Sequence, residues 1–293
     1  MKYHVLVNPI ANKGRGEKLF PEIKSLLEKE NINFDIEFTL GGEGTLKQVE
    51  KALDKGADIV VAAGGDGTVN EVVNGLRGRA KLGILPIGRG NDVARSLKIP
   101  KNLKEAVKLL KKGKNFKMDL GMIDGRYFVG VTGLGFDAEA NLTANRLKFR
   151  GPLGYVASVF LTLKNYKPKK CNIYMDDKVW SGEITLVAIG NTRNYAGGMK
   201  ITPSARLNDG LFDICIVEKI HPLELVLYFP LIYFGKHTIN PHVKMYRAKE
   251  VKIEGEKDLM ATMDGELIPA EKLVVKNIPN IQDVICGGVI ELC

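Results

Sequence analysis

Short apolar runs at residues 3–8, 34–38, 59–63 and 82–86 alternate with longer stretches of helical periodicity, such as 18–30 and 46–55. Repeated switching from a compact apolar run to an amphipathic helix predicts βαβα units, hence a mainly parallel sheet covered by helices on both faces. Ligands of such sheets gather beyond the carboxyl ends of the strands. After Asp119 the pattern changes. Strands are predicted at 126–132, 182–190, 211–218 and several times between 243 and 275, interrupted by two apolar helices near 154–163 and 222–234. The expected fold class is therefore α/β with two domains: residues 1–122, to which the extreme C-terminus at about 286–293 can return, and a β-rich domain over 123–285.

A chain of 293 residues is long enough for two cores. Its composition is that of an ordinary globular protein, with no internal repeat and no low-complexity linker, which excludes a disordered chain. The start MKYHVLVNP lacks a secretory apolar stretch, and the apolar runs near 155–163 and 223–234 fall short of the roughly 18 residues a membrane-spanning helix needs. Cys171, Cys215, Cys286 and Cys293 are scattered, with neither a CxxC pair nor zinc-like spacing to His4, His221, His237 or His242. A cytoplasmic location is the expectation.

Net charge is +9, and most of the excess lies before residue 123, in a stretch that includes Lys13, Arg15, Arg77, Arg79, Arg89 and Arg95. That balance implies an anionic partner: nucleotide phosphate, an anionic membrane face or nucleic acid. No RNP sequence or zinc knuckle supports the last, so nucleic acid is set aside.

Candidate chemistry sits where three predicted strands end. Asn8-Pro9 leads to Lys13-Gly14-Arg15-Gly16; Gly64-Gly65-Asp66-Gly67-Thr68 and Gly88-Arg89-Gly90-Asn91-Asp92 follow later strands. Glycines let the main chain approach a phosphate and donate several N–H groups, and a helix starting near Val69 would aim its positive end at the same anion. Asp66 would repel that anion unless it holds a cation, magnesium on ATP being the expected one, or unless it caps the helix. GxxxxGK[ST] and GxGxxG patterns after a strand are absent, and Gly133-Leu134-Gly135 lacks a third glycine.

Taken together, GGDGT at 64–68 continuing as VNEVVNG, LPIGRGNDVAR at 85–95 and MDGE at 263–266 resemble the diacylglycerol kinase catalytic family, which includes bacterial soluble lipid kinases and sphingosine and ceramide kinases. The resemblance runs from Asn8 to about residue 289. It implies an ATP-dependent lipid kinase with an α/β nucleotide-binding domain and a C-terminal β-sandwich-like lipid-binding domain, the nucleotide lying in the cleft between them. Carried over by position, Asn8, Thr39, Gly64, Gly65, Asp66, Gly67, Thr68, Val69 and Asn70 would contact nucleotide, and Glu71 would brace that loop. Asp66, Asp92 and Asp119 resemble the acidic network that holds the catalytic Mg2+ through water. Asp209, with the carbonyls of Arg206 and Leu211, resembles a separate structural Mg2+ site. Asp264 matches the general base, with Glu266 as runner-up, although Asp264-Gly265 also reads as a hairpin turn.

Asp137 stands where sphingosine kinases place a carboxylate for the acceptor head group; capping a helix is the other reading. Arg146, Lys148 and Arg150 precede Gly151-Pro152, where the family often has a basic residue near the phosphates. Arg89 departs from the family pattern, which often has Thr or Ser there; it either reaches phosphate itself or points to solvent. The resemblance further implies a lipid substrate; the positive charge of the N-terminal domain predicts transient contact with an anionic membrane surface at the inner face, and exposed strand edges in the second domain offer a route to a homodimer. An NAD kinase-like enzyme and a non-catalytic nucleotide or lipid sensor are the alternatives.

Overall fold

The computed structural model describes residues 1–146, 152–163, 166–263 and 265–288. Two compact units divide the chain. The first contains Met1–Leu120, Arg126–Phe128 and the residues from Pro279 on; the second contains Gly121–Gly125 and Val129–Ile278.

In the first unit β1 (Lys2–Val7), α1 (Ala11–Lys29), β2 (Asn33–Phe38), α2 (Glu43–Asp54), β3 (Ile59–Gly64), α3 (Asp66–Leu76) and β4 (Lys81–Pro86) follow in strict alternation. The strands pair in parallel in the order β2, β1, β3, β4. Fully buried β3 is apolar throughout, whereas β2 at the edge alternates in exposure. α4 (Asp92–Ser96), α5 (Leu103–Lys112), β5 (Lys114–Ile123) and β6 (Arg126–Phe128) complete the forward run. α5 is well delimited: the Asn102 side chain accepts from the Glu105 N–H at 3.2 Å, Lys111 and Lys112 occupy the last turn, and Gly113 ends it.

The second unit holds β7 (Val131–Gly135), α6 (Phe136–Arg146), α7 (Pro152–Leu163), β8 (Lys169–Met175), β9 (Lys178–Gly190), β10 (Phe212–Glu218), α8 (Pro222–Tyr228), β11 (Val243–Ala248), β12 (Glu250–Gly255), β13 (Met260–Met263), β14 (Glu266–Pro269) and the start of β15 (Lys272–Cys286). Its ladders are antiparallel. β9 is the hinge of the arrangement: its first half pairs with β8, and its second half is flanked by β7 and β10. The fold class is thus α/β with a β-sandwich-like second unit.

Three boundaries differ from the sequence pattern. The apolar stretch 222–234 is not one helix: α8 ends at Tyr228, and short 3-10 turns follow at Phe229–Phe234 and Lys236–Ile239, because Pro230 removes a donor from the helix ladder. The single strand expected at 126–132 divides into β6 and β7, which belong to different units. The return to the first unit starts at Pro279 rather than near 286, with Val284 of β15 parallel to Leu82 of β4.

A side chain explains why the three residues of β6 join the first unit. Asn74 of α3 donates to the Tyr127 carbonyl at 2.8 Å and accepts from the Tyr127 N–H at 2.8 Å, substituting for a strand neighbour. Asn74 is buried. Asn74→Ala leaves that peptide group unsatisfied and is expected to cost about 1–3 kcal/mol in urea unfolding; a change within error would show that the pairing is not needed.

Candidate functional site

Adjacent β1 and β3 have connections that leave in opposite directions, to β2 and to β4, so the crevice beyond their carboxyl ends is a topological switch point. Asn8 and the glycine turn lie there. The Asn8 N–H donates to the Ala63 carbonyl at 2.9 Å, and its side chain donates to the Thr68 hydroxyl at 2.9 Å. Thr39 is held beside them by its N–H to the Val7 carbonyl at 2.9 Å.

The turn at 64–68 is the start of α3. Gly65 is the N-cap residue and offers no side-chain cap, so the first-turn N–H groups of α3 face outward without an internal acceptor from that residue. A Cβ on Gly67 would meet nothing within 4 Å, and Gly67 is exposed. Glycine at 64 is required by packing, since a Cβ there would lie 2.3 Å from the Thr68 hydroxyl. Val69 and Asn70 are turned away from this opening. Val69 is buried and donates to the Gly65 carbonyl at 3.1 Å, while the Asn70 side chain accepts from Asn74 at 3.2 Å.

The turn after β4 packs directly on this one. The N–H groups of Ile87 and Gly88 both donate to the Gly64 carbonyl, at 3.2 and 3.1 Å, and a Cβ on Gly88 would come within 2.4 Å of Gly65 Cα. One Asp66 carboxylate oxygen accepts from the Val93 N–H at 2.9 Å, tying α3 to the first turn of α4. Asp92 is buried at that same turn and ion-paired with Arg95, which also donates to the Gly90 carbonyl. Asp66 therefore acts as the cap of a neighbouring helix, α4.

A third loop completes the edge. Asn12, Lys13 and Gly14 adopt consecutive left-handed conformations, with φ of 47°, 63° and 83°, so the regular helix begins beyond them. A Cβ on Gly16 would overlap the Asn8 carbonyl at 1.9 Å. Arg89 reaches across to this loop, its Nε donating to Asn12 Oδ1 at 3.4 Å. Glu71 braces a different loop from the one expected: it accepts from the Gly42 N–H at 3.0 Å and so holds the turn after β2.

Asp119 is fully buried on β5 and accepts from the Asn280 N–H at 2.7 Å, fixing the point where the chain re-enters the first unit. Among the described residues no three of His, Cys, Asp and Glu are grouped closely enough to hold a metal ion. Direct coordination of Mg2+ by Asp66, Asp92 and Asp119 together is therefore not built into the arrangement. The open donors at α3 and the carboxylate beside them fit an anion that carries its own cation, with outer contacts through water.

The second unit places Asp137 in the first turn of α6, buried, where it accepts from the Tyr195 hydroxyl and the Thr262 hydroxyl, both at 3.1 Å. A Cβ on Gly133 would lie 2.0 Å from the Asp137 carboxylate, so β7 must have glycine opposite it. Asp137 borders a narrow apolar cleft of about 60 Å3, lined among others by Phe136, Leu186, Ile201, Val217 and Ile232. His237 lies in the same wall, its Nε2 3.1 Å from the Ile201 carbonyl, and burial pushes its pKa down so that it stays neutral. Burial raises Cys215 to about 12, which removes it as a nucleophile. Tyr195, Thr262 and His237 carry no motif by which the sequence could mark them.

Glu266 opens β14, exposed and in register with Met263 at the end of β13, and Gly265 before it has φ 92°. Asp264 itself lies outside the described residues, as do Lys148 and Arg150. Arg146 ends α6.

At the expected structural Mg2+ site the carboxylate already has partners. Asp209 accepts from the Leu211 N–H at 3.1 Å and is ion-paired with Arg247, which also reaches Asp213 at 3.3 Å. The Arg247 guanidinium supplies positive charge between the two carboxylates.

Comparison with known proteins gives a consistent pattern. Residues 2–123 match the family model described as diacylglycerol kinase catalytic domain, and residues 130–286 match that of the YegS C-terminal NAD kinase beta sandwich-like domain. A diacylglycerol kinase of Staphylococcus epidermidis is 34% identical over 268 residues, covering 89% of this chain and 84% of the relative. One from Staphylococcus aureus is 35% identical, with 89% and 85% covered. Two solved structures from Bacillus anthracis str. Sterne each align over 99% of this chain and 98% of their own. One, of a diacylglycerol kinase, has a TM-score of 0.78 at 23% identity; the other has 0.82 at 26%.

The Arg247 arrangement is testable through pH. Burial raises the Asp213 pKa above its ordinary value while Arg247 opposes the rise. A raised carboxylate stabilises the fold at low pH and loses that contribution as pH rises through its folded pKa. Arg247→Ala is therefore expected to destabilise by about 1–3 kcal/mol at pH 8, less than a fully buried pair because the guanidinium is part exposed. The penalty should shrink at pH 5, in urea titrations at both values. A larger penalty at pH 5 would contradict this.

Proposed function

The chain belongs to the diacylglycerol kinase catalytic family, and from that premise we propose that it transfers the γ-phosphoryl group of ATP to the hydroxyl of a lipid, diacylglycerol being the first acceptor to test. The observation that carries the reading is the uncapped, glycine-lined start of α3 at the switch point of a parallel sheet, with the Asp66 carboxylate beside it. Backbone N–H groups there would hold the phosphates, with Asn8 and Thr68 fixing the loop. Arg89, tethered to Asn12, would steer the phosphates electrostatically.

Mg2+, when bound with the nucleotide, would neutralise charge developing on the transferred group. Asp66 and Asp92 would orient it through water, and Asp119 would keep β5 and the return strand in place around them. On the second unit, Asp137 would position the acceptor head group at the border of the adjoining apolar cleft. Asp264 is the proposed general base and Glu266 its reserve.

Among the described residues no helix is long and apolar enough to cross a membrane. A lipid acceptor would be drawn from a bilayer surface. Exposed Leu223, Leu227, Phe234 and Ile239, on the segment whose Leu225, Phe229 and Ile232 line the cleft, together with Lys219 and Lys236, suit peripheral contact with anionic lipid. β14, paired with β13 among the described residues, offers an edge to a second copy.

Purified protein with Mg2+ and labelled ATP is expected to phosphorylate dioctanoylglycerol in mixed micelles. Asp66→Asn and Asp264→Asn should each lower kcat by about a hundredfold or more with little change in melting temperature. Full activity in both variants would remove the mechanism, and phosphorylation of NAD in place of lipid would favour the NAD kinase-like alternative.

A further inference from the structure

β10 and β11 are antiparallel neighbours that pair Val217 with Val243, so residues 218–242 lie between two positions that a tight hairpin would join with roughly two to five. That excursion carries α8 and the two 3-10 turns. Both of its ends are pinned: the Lys219 N–H donates to the Glu183 carbonyl and the Glu218 N–H to the His242 carbonyl, each at 2.9 Å. Between the ends, the Lys200 N–H donates to the Ile232 carbonyl at 2.9 Å, and His237 Nε2 lies 3.1 Å from the Ile201 carbonyl. These are the described hydrogen bonds that hold the segment to the unit behind it.

The segment is apolar on two sides. Inward, Leu225, Phe229 and Ile232 roof the cleft that Asp137 borders, while Leu186 and Val217 opposite them belong to the β9–β10 ladder. The cleft's 60 Å3 is room for a few water molecules, against the roughly 300 Å3 at which small-molecule pockets begin. A space of about 430 Å3 lies on the other side of Leu225 and Ile220, which line both. Outward, Leu223, Leu227, Phe234 and Ile239 are between 68% and 74% exposed. Lys219 and Lys236 flank them, and Glu224 accepts from the Asn240 side chain at 2.9 Å.

Resting on the lipid kinase reading for what enters the cleft, we propose that residues 221–241 form a lid, shut in this structure, which an anionic bilayer surface opens by taking up the four outward apolar side chains. Charge selects that partner, because the lid is flanked by lysines that meet lipid phosphates while the apolar side chains enter the acyl boundary. Opening breaks the two hydrogen bonds to residues 200 and 201 and uncovers the inner apolar face. Hydrocarbon around the outward side chains offsets the first cost, and the entering acceptor offsets the second. Leu225 moves with the lid, so the narrow cleft and its larger neighbour become one space.

The test follows the Lys200 amide, bonded to the lid at Ile232, by hydrogen exchange of the full chain without nucleotide. Vesicles of phosphatidylglycerol are expected to speed its exchange by about tenfold or more, and vesicles of phosphatidylcholine to leave it unchanged. Leu227→Ser combined with Phe234→Ser, both at exposed positions, should abolish the acceleration, with circular dichroism melts confirming that the variant folds. In the transfer assay the same variant should lose about tenfold or more in kcat/KM on dioctanoylglycerol carried in phosphatidylglycerol vesicles.

Unchanged or slower exchange at Lys200 on phosphatidylglycerol would overturn the proposal, the slower case showing a surface that docks without opening. Equal acceleration by both lipids, or acceleration that survives in the variant, would overturn it as well. So would exchange that quickens with protein concentration in the absence of vesicles, which would make a second copy the occupant. Acceleration with no transfer to any lipid would instead refute the kinase reading and leave the lid standing. Transfer without acceleration would do the reverse.

Discussion

The contact on which the candidate nucleotide site depends is the approach of two peptide turns, one after β3 and one after β4, too close for any side chain between them. A Cβ on Gly88 would press within 2.4 Å of Gly65 Cα, and the Gly64 carbonyl takes two N–H groups from the neighbouring turn. Parallel strands alone bring these turns side by side; glycine lets them touch. Once in contact they fix the start of α3, and Asp66 carries the constraint onward by capping α4. The third loop is clamped the same way, with Gly16 under the Asn8 carbonyl and Asn8 bonded to Thr68. Helix N-termini, glycine turns and one carboxylate are thus held by a few short backbone contacts and not by a cluster of metal ligands.

The second unit solves a different physical problem. It must keep a carboxylate beside hydrocarbon without paying its full desolvation cost. Asp137 does so with two hydroxyl donors, at the edge of the cleft and against a glycine that leaves room for it. The surrounding titratable groups are silenced by burial: His237 is kept neutral and the Cys215 thiol protonated. What remains is a mostly apolar space bordered by a carboxylate, a pattern that suits an amphiphile.

Much of the first unit could be read from its sequence because each apolar run is bounded by glycine, asparagine or proline, and each strand end coincides with a turn. Local signals failed where a distant partner decides the outcome. Glu71 stands next to the glycine turn in sequence, yet its carboxylate serves Gly42 on the loop after β2. Arg247, the ion-pair partner of Asp209 in its LNDG turn, could not be read from that turn, because only tertiary pairing of β10 with β11 brings it close. Tyr127 leaves the second unit because Asn74 offers it a peptide-like partner. The break of the apolar segment at Pro230 was legible in principle, since the residue was visible, but hydrophobicity alone favoured a continuous helix.

If the back-to-back turns create the phosphate cradle, a methyl group placed between them should damage nucleotide binding before it damages the fold. Isothermal titration of Mg2+-ATP into Gly88→Ala is the most direct measurement. A Kd weakened by about tenfold or more, with a cooperative thermal transition retained, is the expected result; a Kd equal to that of the parent protein in a folded variant would contradict the account.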